Sequence, residues 1–368
     1  MKREHGFTLI ELMISLVVAS LLVIMILSIF SRLSFSYKEQ AQIVQIQQTL
    51  AAARAAFELD ARQAGLEMSQ GFKIAHDAPT YLLHSPIVQI DSSTGPDEIA
   101  FFYADPSTQA VVTSAGPATT ITVDNATGFT TNQLVVLSTA DTTTMVNPID
   151  PTNDAKIATF DACVVQIQSI AGNSITFQTG GNWGVAGNAQ CTNTAAGSTM
   201  MYGFVAHDWR LDPVRTTQGV LQMSPTGNLI PGLADFQDMA YDFTDIQTSI
   251  YFFDDDGIDT ADPDTDGNRD WYSDNTQQTW TQPIALTSAF VPPIMMSISL
   301  VARNDRDVEG IFTAQTPNLT QTGNTANNMV GNHASVTLPS ATDTRLQGNR
   351  IYRYITFQVD LRNMGVGR

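Results

Sequence analysis

The most apolar part of the chain lies at its N-terminus, where residues 7–30 are almost all hydrophobic. A helix of about 24 residues would be about 36 Å long, which is enough to cross a hydrocarbon core of about 30 Å. Lys2 and Arg3 precede this run and Arg32 follows it. Because positive residues are retained on the cytoplasmic side, the pattern predicts one membrane span with the rest of the chain outside the cytoplasm.

A second hydrophobic pattern extends beyond the membrane span. Apolar residues recur there at spacings of three or four: Ile43, Ile46, Leu50, Ala53, Phe57, Ala61 and Ala64. This stripe predicts an amphipathic helix over residues 31–64. Since no Pro or Gly interrupts residues 7–64, we expect a single helix of about 58 residues that ends at Gly65. We expect the stripe to pack on the protein's own globular domain, in preference to a coiled-coil partner.

The pattern changes again in residues 65–368, where Thr, Val, Ile, Asn and Gly dominate. Short alternating or apolar runs lie between turn residues: EIAFFYA, TTITV, QLVVLST, ACVVQIQSI, NSITFQT, IMMSISLVA and YRYITFQVDL. Such runs are typical of strands. The predicted fold class is therefore α+β, with a long N-terminal helix packed on a large β-rich domain. A Thr- and Asn-rich stretch at about residues 115–201 predicts a β insertion within that domain.

One residue breaks the apolar pattern of the membrane span. Glu11 places a carboxylate inside it, at a cost of roughly 2–4 kcal/mol, so such an acid is expected to have a partner and a role. An ordinary signal peptide does not fit, because the apolar run is long and no small-residue cleavage site follows it. A generic signal anchor is the alternative on these grounds.

The junction Gly6-Phe7-Thr8-Leu9-Ile10-Glu11, followed by the apolar helix, closely resembles the class III signal of type IV pilins and type II secretion pseudopilins. The resemblance implies that residues 1–6 are a leader peptide, which a prepilin peptidase removes after Gly6 before it methylates Phe7. Residues 7–30 would remain as the filament-core segment. The resemblance also implies that Glu11 neutralises the α-amino group of Phe7, either on a neighbouring subunit or in its own chain before assembly.

The order of the later features resembles the PilW-type minor pilins. An ARQAG segment ends the helix, an Asp-rich loop follows in the C-terminal half, and strands like MSISLVARND and YRYITFQVDLRN close the chain. The resemblance implies a minor pilin that helps to initiate assembly of a type IV pilus, at or near its tip. The implied partners are other minor and major pilins, the prepilin peptidase and the inner-membrane assembly platform. The implied location is the inner membrane before assembly, with a periplasmic C-terminus, and the pilus or cell surface afterwards.

Two other functions remain open at this stage. One is a minor pseudopilin of a type II secretion system, although Glu11 argues against the tip pseudopilin, which characteristically lacks that acid, and the chain is long for the others. The second is an adhesin at a filament tip, whose β insertion would bind a surface or a glycan.

Composition narrows the partners further. The formal net charge is −18, the isoelectric point is near 4.4, and Lys and Arg together number only 18. The sequence therefore shows no cationic stripe of the kind that nucleic-acid binding requires.

The two cysteines, Cys163 and Cys191, both fall in the exported part of the chain. An oxidising compartment favours a disulfide between them, with two buried free thiols as the alternative.

An acidic loop in the C-terminal half predicts a calcium site. Its candidate ligands are Asp262, Asp264, Asp266, Asn268, Asp270 and Asp274, with Gly267 at the turn. The spacing follows a DxDxDG calcium loop, and hard oxygen ligands suit Ca²⁺. Position twelve, where an EF-hand has a bidentate Glu, is occupied by Ser273. We therefore expect a loop between strands in place of a helical EF-hand, and a solvated acidic turn is the alternative.

The sequence contains no pattern that predicts catalysis. The five histidines, His5, His76, His84, His207 and His333, are scattered. We find no HExxH pair, no G-x-S-x-G elbow, no phosphate-binding GxxxxGK loop and no CxxC motif. We therefore expect a structural and interaction protein, and not an enzyme.

Overall fold

The computed structural model describes residues 8–68, 72–74, 83–84, 86–90, 96–114, 116–117, 119–141, 159–178, 193–194, 196–216, 218–225, 235–252, 271–272, 293–303 and 352–361. A single helix, α1, spans Leu9–Gln63 over 55 residues. Thr8 caps its N-terminus, and at its C-terminus the N–H of Ala64 bonds to the carbonyl of Asp60. Gly65 follows with a φ of 76°, a left-handed conformation that glycine adopts without steric cost. The expected continuous helix ending at Gly65 is confirmed.

The described residues after the helix form seventeen strands. In chain order these are β1 (Phe72–Ile74), β2 (Leu83–His84), β3 (Ile87–Ile90), β4 (Glu98–Val111), β5 (Gly116–Pro117), β6 (Thr120–Thr122), β7 (Leu134–Asp141), β8 (Thr159–Ala171), β9 (Ser174–Phe177), β10 (Asn193–Thr194), β11 (Thr199–Leu211), β12 (Leu221–Ser224), β13 (Gln237–Ala240), β14 (Phe243–Phe252), β15 (Trp271–Tyr272), β16 (Pro293–Arg303) and β17 (Tyr352–Asp360). Each of the seven runs that predicted a strand overlaps one of them. The fold class, a long helix on a β-rich domain, is confirmed.

The larger sheet is organised around β11. Its main path is β13-β12-β11-β7-β8-β1-β2, and β4 pairs with β11 as a branch. One edge of β11 pairs with β4, and the other edge pairs first with β7 and then with β12. These pairings are antiparallel, and they set Trp209 opposite Ile99 and Met201 opposite Leu137. Within the described residues, β11 is thus the strand that joins the two halves of this sheet.

β5 and β10 form a separate two-stranded sheet. The remaining four-stranded sheet, called the smaller sheet below, has the order β15-β14-β16-β17 and is antiparallel throughout. Two buried polar side chains join it to the larger sheet. The carboxylate of Asp97 accepts a hydrogen bond of 2.7 Å from the backbone N–H of Thr248, and the amide of Gln89 donates one of 2.8 Å to the carbonyl of Thr248. Because these groups are shielded from water, their bonds fix the position of one sheet against the other.

The second half of α1 packs against both sheets and forms the main core with them. Its buried residues are Ile46, Leu50, Ala53, Phe57, Ala61 and Ala64. They contact side chains of the larger sheet, such as Ile99 and Trp209, and of the smaller sheet, such as Ile298 and Phe357. The predicted packing of the stripe on the protein's own domain is confirmed. The helix is therefore part of the β domain's core as well as its attachment to the N-terminal segment.

Two further clusters lie away from α1. One contains Val112, Ile121, Val135, Ile167 and Phe177 among its buried residues. It falls within and next to the stretch for which an insertion is predicted, and it gives that part of the chain a core of its own. The other cluster, which includes Met68, lies on the remaining face of the larger sheet.

Candidate functional site: the exposed half of helix α1

The first half of α1 exposes its apolar side chains on every side. From Leu9 to Phe30 the large hydrophobic residues are between 51% and 79% exposed. In the part of the chain that the structure describes, α1 is the one helix long and apolar enough to cross a membrane, and its most apolar window is not buried at all. Burying such a surface gains about 25 cal/mol per Å² of apolar area. This segment therefore needs an apolar environment that the chain itself does not supply.

Two serines within the apolar segment, Ser15 and Ser20, bond to carbonyl groups of their own helix. The hydroxyl of Ser15 donates to the carbonyl of Leu12 at 2.9 Å, and that of Ser20 donates to the carbonyl of Val17 at 2.7 Å. In hydrocarbon, where water cannot take their place, such bonds prevent an unpaired hydroxyl. Both serines are therefore compatible with a membrane or with an apolar filament core.

Glu11 takes part in a capping box at the start of α1. Its carboxylate accepts from the backbone N–H of Thr8 at 3.3 Å and from the Thr8 hydroxyl at 3.1 Å, while its own N–H donates to the Thr8 hydroxyl oxygen at 3.4 Å. A capping box satisfies N–H groups that the first helical turn leaves without partners. Such groups are most costly in an apolar environment. Glu11 therefore has a function within its own chain that the sequence analysis did not anticipate, although the T-x-x-E spacing signals it.

The predicted processing residues, Gly6 and Phe7, lie outside the described residues. Cleavage after Gly6, methylation of Phe7 and the pairing of Glu11 with the Phe7 amine remain predictions. The capping box is compatible with that pairing, because a carboxylate can accept several hydrogen bonds at once. The carboxylate oxygen that accepts the hydrogen bonds from Thr8 can thus also accept one from a neighbouring amine.

A buried polar cluster anchors the C-terminal end of α1 to the larger sheet. Asp60, which is buried, accepts hydrogen bonds from His207 Nδ1 at 2.8 Å, from Trp209 Nε1 at 2.7 Å and from the Tyr103 hydroxyl at 3.3 Å. Burial raises the pKa of Tyr103, and the neighbouring Asp60 carboxylate raises it further. The cluster joins one helical residue to β4 and β11, so it holds the helix in one orientation on the sheet.

A pair of acidic residues lies on the other face of β11. Asp208 is fully buried and interacts with Glu98 on the neighbouring strand β4. Burial raises the pKa of Asp208 well above its usual value, and the Glu98 carboxyl raises it further, whereas Arg210 lowers it. The Asp208 carboxyl is therefore favoured in its protonated form. Neither Asp60 nor Asp208 was identified from the sequence as a residue of interest.

The predicted calcium ligands, Asp262, Asp264, Asp266, Asn268, Asp270 and Asp274, lie outside the described residues. Among the residues that are described, no group of three or more His, Cys, Asp or Glu side chains could hold a metal ion. Cys163 is buried on β8. Its predicted partner Cys191 is also outside the described residues, so that pairing remains a prediction.

Comparison with known proteins identifies the N-terminal segment. Residues 1–27 match a family model described as the prokaryotic N-terminal methylation motif. Among solved structures, the chain is similar to the type IV-like pilin TTHA1219 from Thermus thermophilus, with 9% sequence identity and a TM-score of 0.37. That alignment covers 87% of this chain and 97% of the pilin. No curated protein sequence matches the chain.

The methylation motif coincides with the exposed half of α1. The chain carries a prepilin-type signal at the start of a long apolar helix, and the other half of that helix is packed on a large β-rich domain. The start of the chain is therefore similar to that of proteins with the prokaryotic N-terminal methylation motif.

Proposed function

We propose that this chain is a minor pilin that takes part in initiating the assembly of a type IV pilus. A prepilin peptidase would cut after Gly6 and methylate Phe7. The processed subunit would then lie in the inner membrane with its β domain in the periplasm. Other minor and major pilins, together with the inner-membrane assembly platform, would be its partners. No step of this role requires the chain to catalyse a reaction.

The division of α1 into two halves is the observation that carries the proposal. The apolar residues up to Phe30 are exposed, and the apolar stripe that begins at Ile46 and ends at Ala64 is buried in the chain's own core. A helix built in this way can exchange its surroundings, from lipid to neighbouring helices, without disturbing the β domain. A filament subunit that begins in a membrane requires this property.

The second part of the argument concerns charge. The first half of α1 presents one carboxylate, Glu11, in an otherwise apolar surface. A buried charge is costly when it is alone, and much less so when an opposite charge faces it. The amine that cleavage after Gly6 would create on Phe7 supplies such a charge in each incoming subunit. A mismatched register would leave Glu11 unpaired, so the pairing would select one register of assembly.

Intact-mass analysis of the purified chain tests the proposal. We expect a mature chain that begins at a methylated Phe7. The variant Gly6→Ala should accumulate as an uncut precursor in the inner membrane, because the glycine has no Cβ and a side chain at the cut site would obstruct the peptidase. The matched control Lys2→Ala changes the leader away from the cut and should be processed normally.

Two outcomes would overturn the proposal. One is a mature chain that still begins at Met1, or that has been cut after Phe30. The second is normal processing of Gly6→Ala together with pilus numbers that do not change when the gene for this chain is deleted. Several short prepilin-like genes beside this one would favour initiation of a pilus, and secretion-channel genes would favour the pseudopilin.

A further inference from the structure

The exposed apolar side chains of the β domain lie at one end of it. In the described part of the domain, the large hydrophobic residues that are exposed are Val214, Met239, Tyr241 and Tyr354, and Val214 reaches 86% exposure. We refer to these four residues as the lower rim. They belong to the turn between β11 and β12, to β13 and the turn after it, and to β17.

Contacts with α1 place the lower rim near the membrane-spanning half of the helix. Tyr241 and Asp242 line a small crevice together with Ile46 and Thr49, near the beginning of the buried stripe of α1. The backbone N–H of Asp242 donates to the carbonyl of Gln218, which ties the turn that carries Val214 to the same place. Tyr241 and Val214 therefore lie at the end of the domain that the helix enters.

The remaining two residues lie at the same end. Tyr354 pairs in register with Val301, the residue before Ala302. Ala302 in turn lines the crevice beside Ile46. Met239 is in β13, immediately before the turn at Tyr241. All four apolar side chains thus gather where α1 leaves the domain towards its exposed half.

The opposite end of the domain differs in character. Around the second core cluster, none of the described large hydrophobic side chains is exposed. The exposed polar side chains there include Thr113, Thr122, Asp124, Asn125 and Thr127. Exposed apolar residues scattered over a surface need no explanation. Their restriction to the end that faces the apolar helix indicates a common function.

Ionic and hydrogen bonds hold the lower rim rigid. Arg215 pairs with the carboxylates of both Asp212 and Asp238, with 2.7 Å between its Nη1 and Asp238 Oδ2. The Tyr241 hydroxyl donates to the same carboxylate at 3.2 Å. The charge of Arg215 thus offsets one of the two carboxylate charges that it pairs with. What remains for a partner is an amphipathic surface of aromatic and aliphatic side chains.

We propose that the lower rim rests on the headgroup layer of the bilayer that holds the first half of α1. This proposal depends on the membrane-anchored state described under the proposed function. Tyrosine suits the membrane interface, since its ring is apolar and its hydroxyl can remain hydrated. The formal net charge of −18 argues against attraction by charge to an anionic membrane surface. Contact through neutral aromatic and aliphatic groups avoids that repulsion.

The length of the exposed part of α1, which continues past the apolar run to Tyr37, supports the contact. From Leu9 to Tyr37 the helix is about 43 Å long at 1.5 Å per residue, against about 30 Å for a hydrocarbon core and about 40–45 Å for a bilayer with its headgroup layers. A helix that is too long for the core is accommodated by tilting. The crevice begins at Gln42, which is about 8 Å further along the helix than Tyr37, and a headgroup layer is about 5–8 Å thick. A tilt lowers one side of the domain, so it brings the rim to the headgroups.

Quenching of a fluorescent label by brominated lipids tests the contact between the lower rim and the bilayer. The experiment uses the full chain in lipid nanodiscs. Single cysteines for a bimane label are introduced as Val214→Cys at the rim, Ser20→Cys in the span and Thr127→Cys at the opposite end. Cys163 is buried and Cys191 is its predicted disulfide partner, so we expect the added thiol to be the one that reacts. We expect loss of fluorescence at positions 20 and 214 and none at 127. When Tyr241→Ser and Tyr354→Ser are added to the Val214→Cys variant, the loss of fluorescence at position 214 should be smaller.

The outcomes separate this proposal from the one on which it depends. Quenching at position 20 without quenching at 214 overturns the rim contact and leaves membrane anchoring intact. Absence of quenching at position 20 overturns membrane anchoring and the rim contact together. A label at 214 that is shielded from aqueous iodide but not quenched by brominated lipid is covered by another protein chain, and this also overturns the lipid contact.

Discussion

At the scale of single residues, Glu11 has two separable roles. As a charge it can pair with an amine, and as a hydrogen-bond acceptor it completes the capping box with Thr8. Glutamine can serve in a capping box as well as glutamate, but it carries no charge. Leucine supplies neither group. The two substitutions therefore distinguish the roles.

We expect Glu11→Gln and Glu11→Leu to enter pili equally poorly, because both lack the charge that would pair with the Phe7 amine. A reduction of about tenfold corresponds to the loss of about 1.4 kcal/mol. Only Glu11→Leu should also speed amide exchange at Leu9–Leu12, since it removes the cap. Quantitative blots of sheared pili and exchange in nanodiscs measure the two effects, with Glu39→Gln as the control on the same helix. Normal assembly of Glu11→Gln in cells that lack the wild type would show that the charge is not needed.

The burial of Asp208 leads to a prediction about how the stability of the protein depends on pH. Because its pKa is raised above the unfolded value of about 3.9, its contribution to stability is complete below that pH and is lost as the pH rises through the folded pKa. Asp208→Asn does not titrate, so its melting temperature minus that of the wild type should become more positive between about pH 4 and pH 8. Thermal unfolding of the full chain in detergent measures this. Glu98→Gln should weaken the trend, and parallel curves for wild type and Asp208→Asn would contradict it.

At the scale of elements, the anchoring of α1 depends on Asp60 as much as on apolar packing. Three donors from β4 and β11, two of them buried, converge on its carboxylate. Phe57, one turn earlier, packs against Trp209 with ring centroids 4.5 Å apart and ring planes tilted by 34°. The indole of Trp209 thus packs on the helix with its ring and bonds to it with its N–H. The polar cluster sets the orientation of the helix on the sheet, and the apolar residues give this interface most of its stability.

Asp60→Ala should destabilise the protein by about 3–5 kcal/mol, because it leaves buried donors without an acceptor. Glu58→Ala, on the same turn, removes only surface ion pairs with Arg54 and Arg62 and should cost less than about 1 kcal/mol. Urea unfolding of the full chain gives both values, and amide exchange over residues 46–63 shows whether the helix is released. Equal costs for the two variants would mean that the cluster has no anchoring role.

At the scale of the whole molecule, the helix and the β domain form one folding unit. Residues 46–64 belong to the main core, so a fragment that begins at Gly65 would lack one wall of that core. Studies of the β domain therefore need a chain that retains the second half of α1. The acidic loop at residues 262–274 remains our hypothesis for a calcium site on this domain.

We expect calcium to raise the melting temperature of the full chain, since a ligand that binds only the folded state stabilises it by RT ln(1 + [L]/Kd). At a hundredfold excess over Kd the gain is about 2.7 kcal/mol. Replacing Asp264 and Asp266 together by Asn should abolish the gain, and Asp235→Asn, outside the loop, should not. Thermal unfolding with calcium and with chelator measures the effect. The same melting temperature in both conditions would mean that the loop is an acidic turn.

Local periodicity was enough to predict the elements whose residues carry their own pattern. The apolar run, the stripe from Ile43 to Ala64 and seven strands repeat over a few residues, and each was found where its pattern indicated. The prepilin signal is also local, because a peptidase must recognise it in a short stretch of chain. These features need no knowledge of what the chain folds against.

Only the tertiary structure revealed β11 as the central strand and gave Asp60 and Asp208 their roles. β11 includes His207, Asp208 and Arg210, so its sequence is less apolar than is typical of a central strand. It is buried because β4, β7 and β12 cover its two edges. The partners of Asp60 lie 43 to 149 residues away in the sequence. Burial and partners of this kind arise from contacts between distant segments, and no pattern within a short window encodes them.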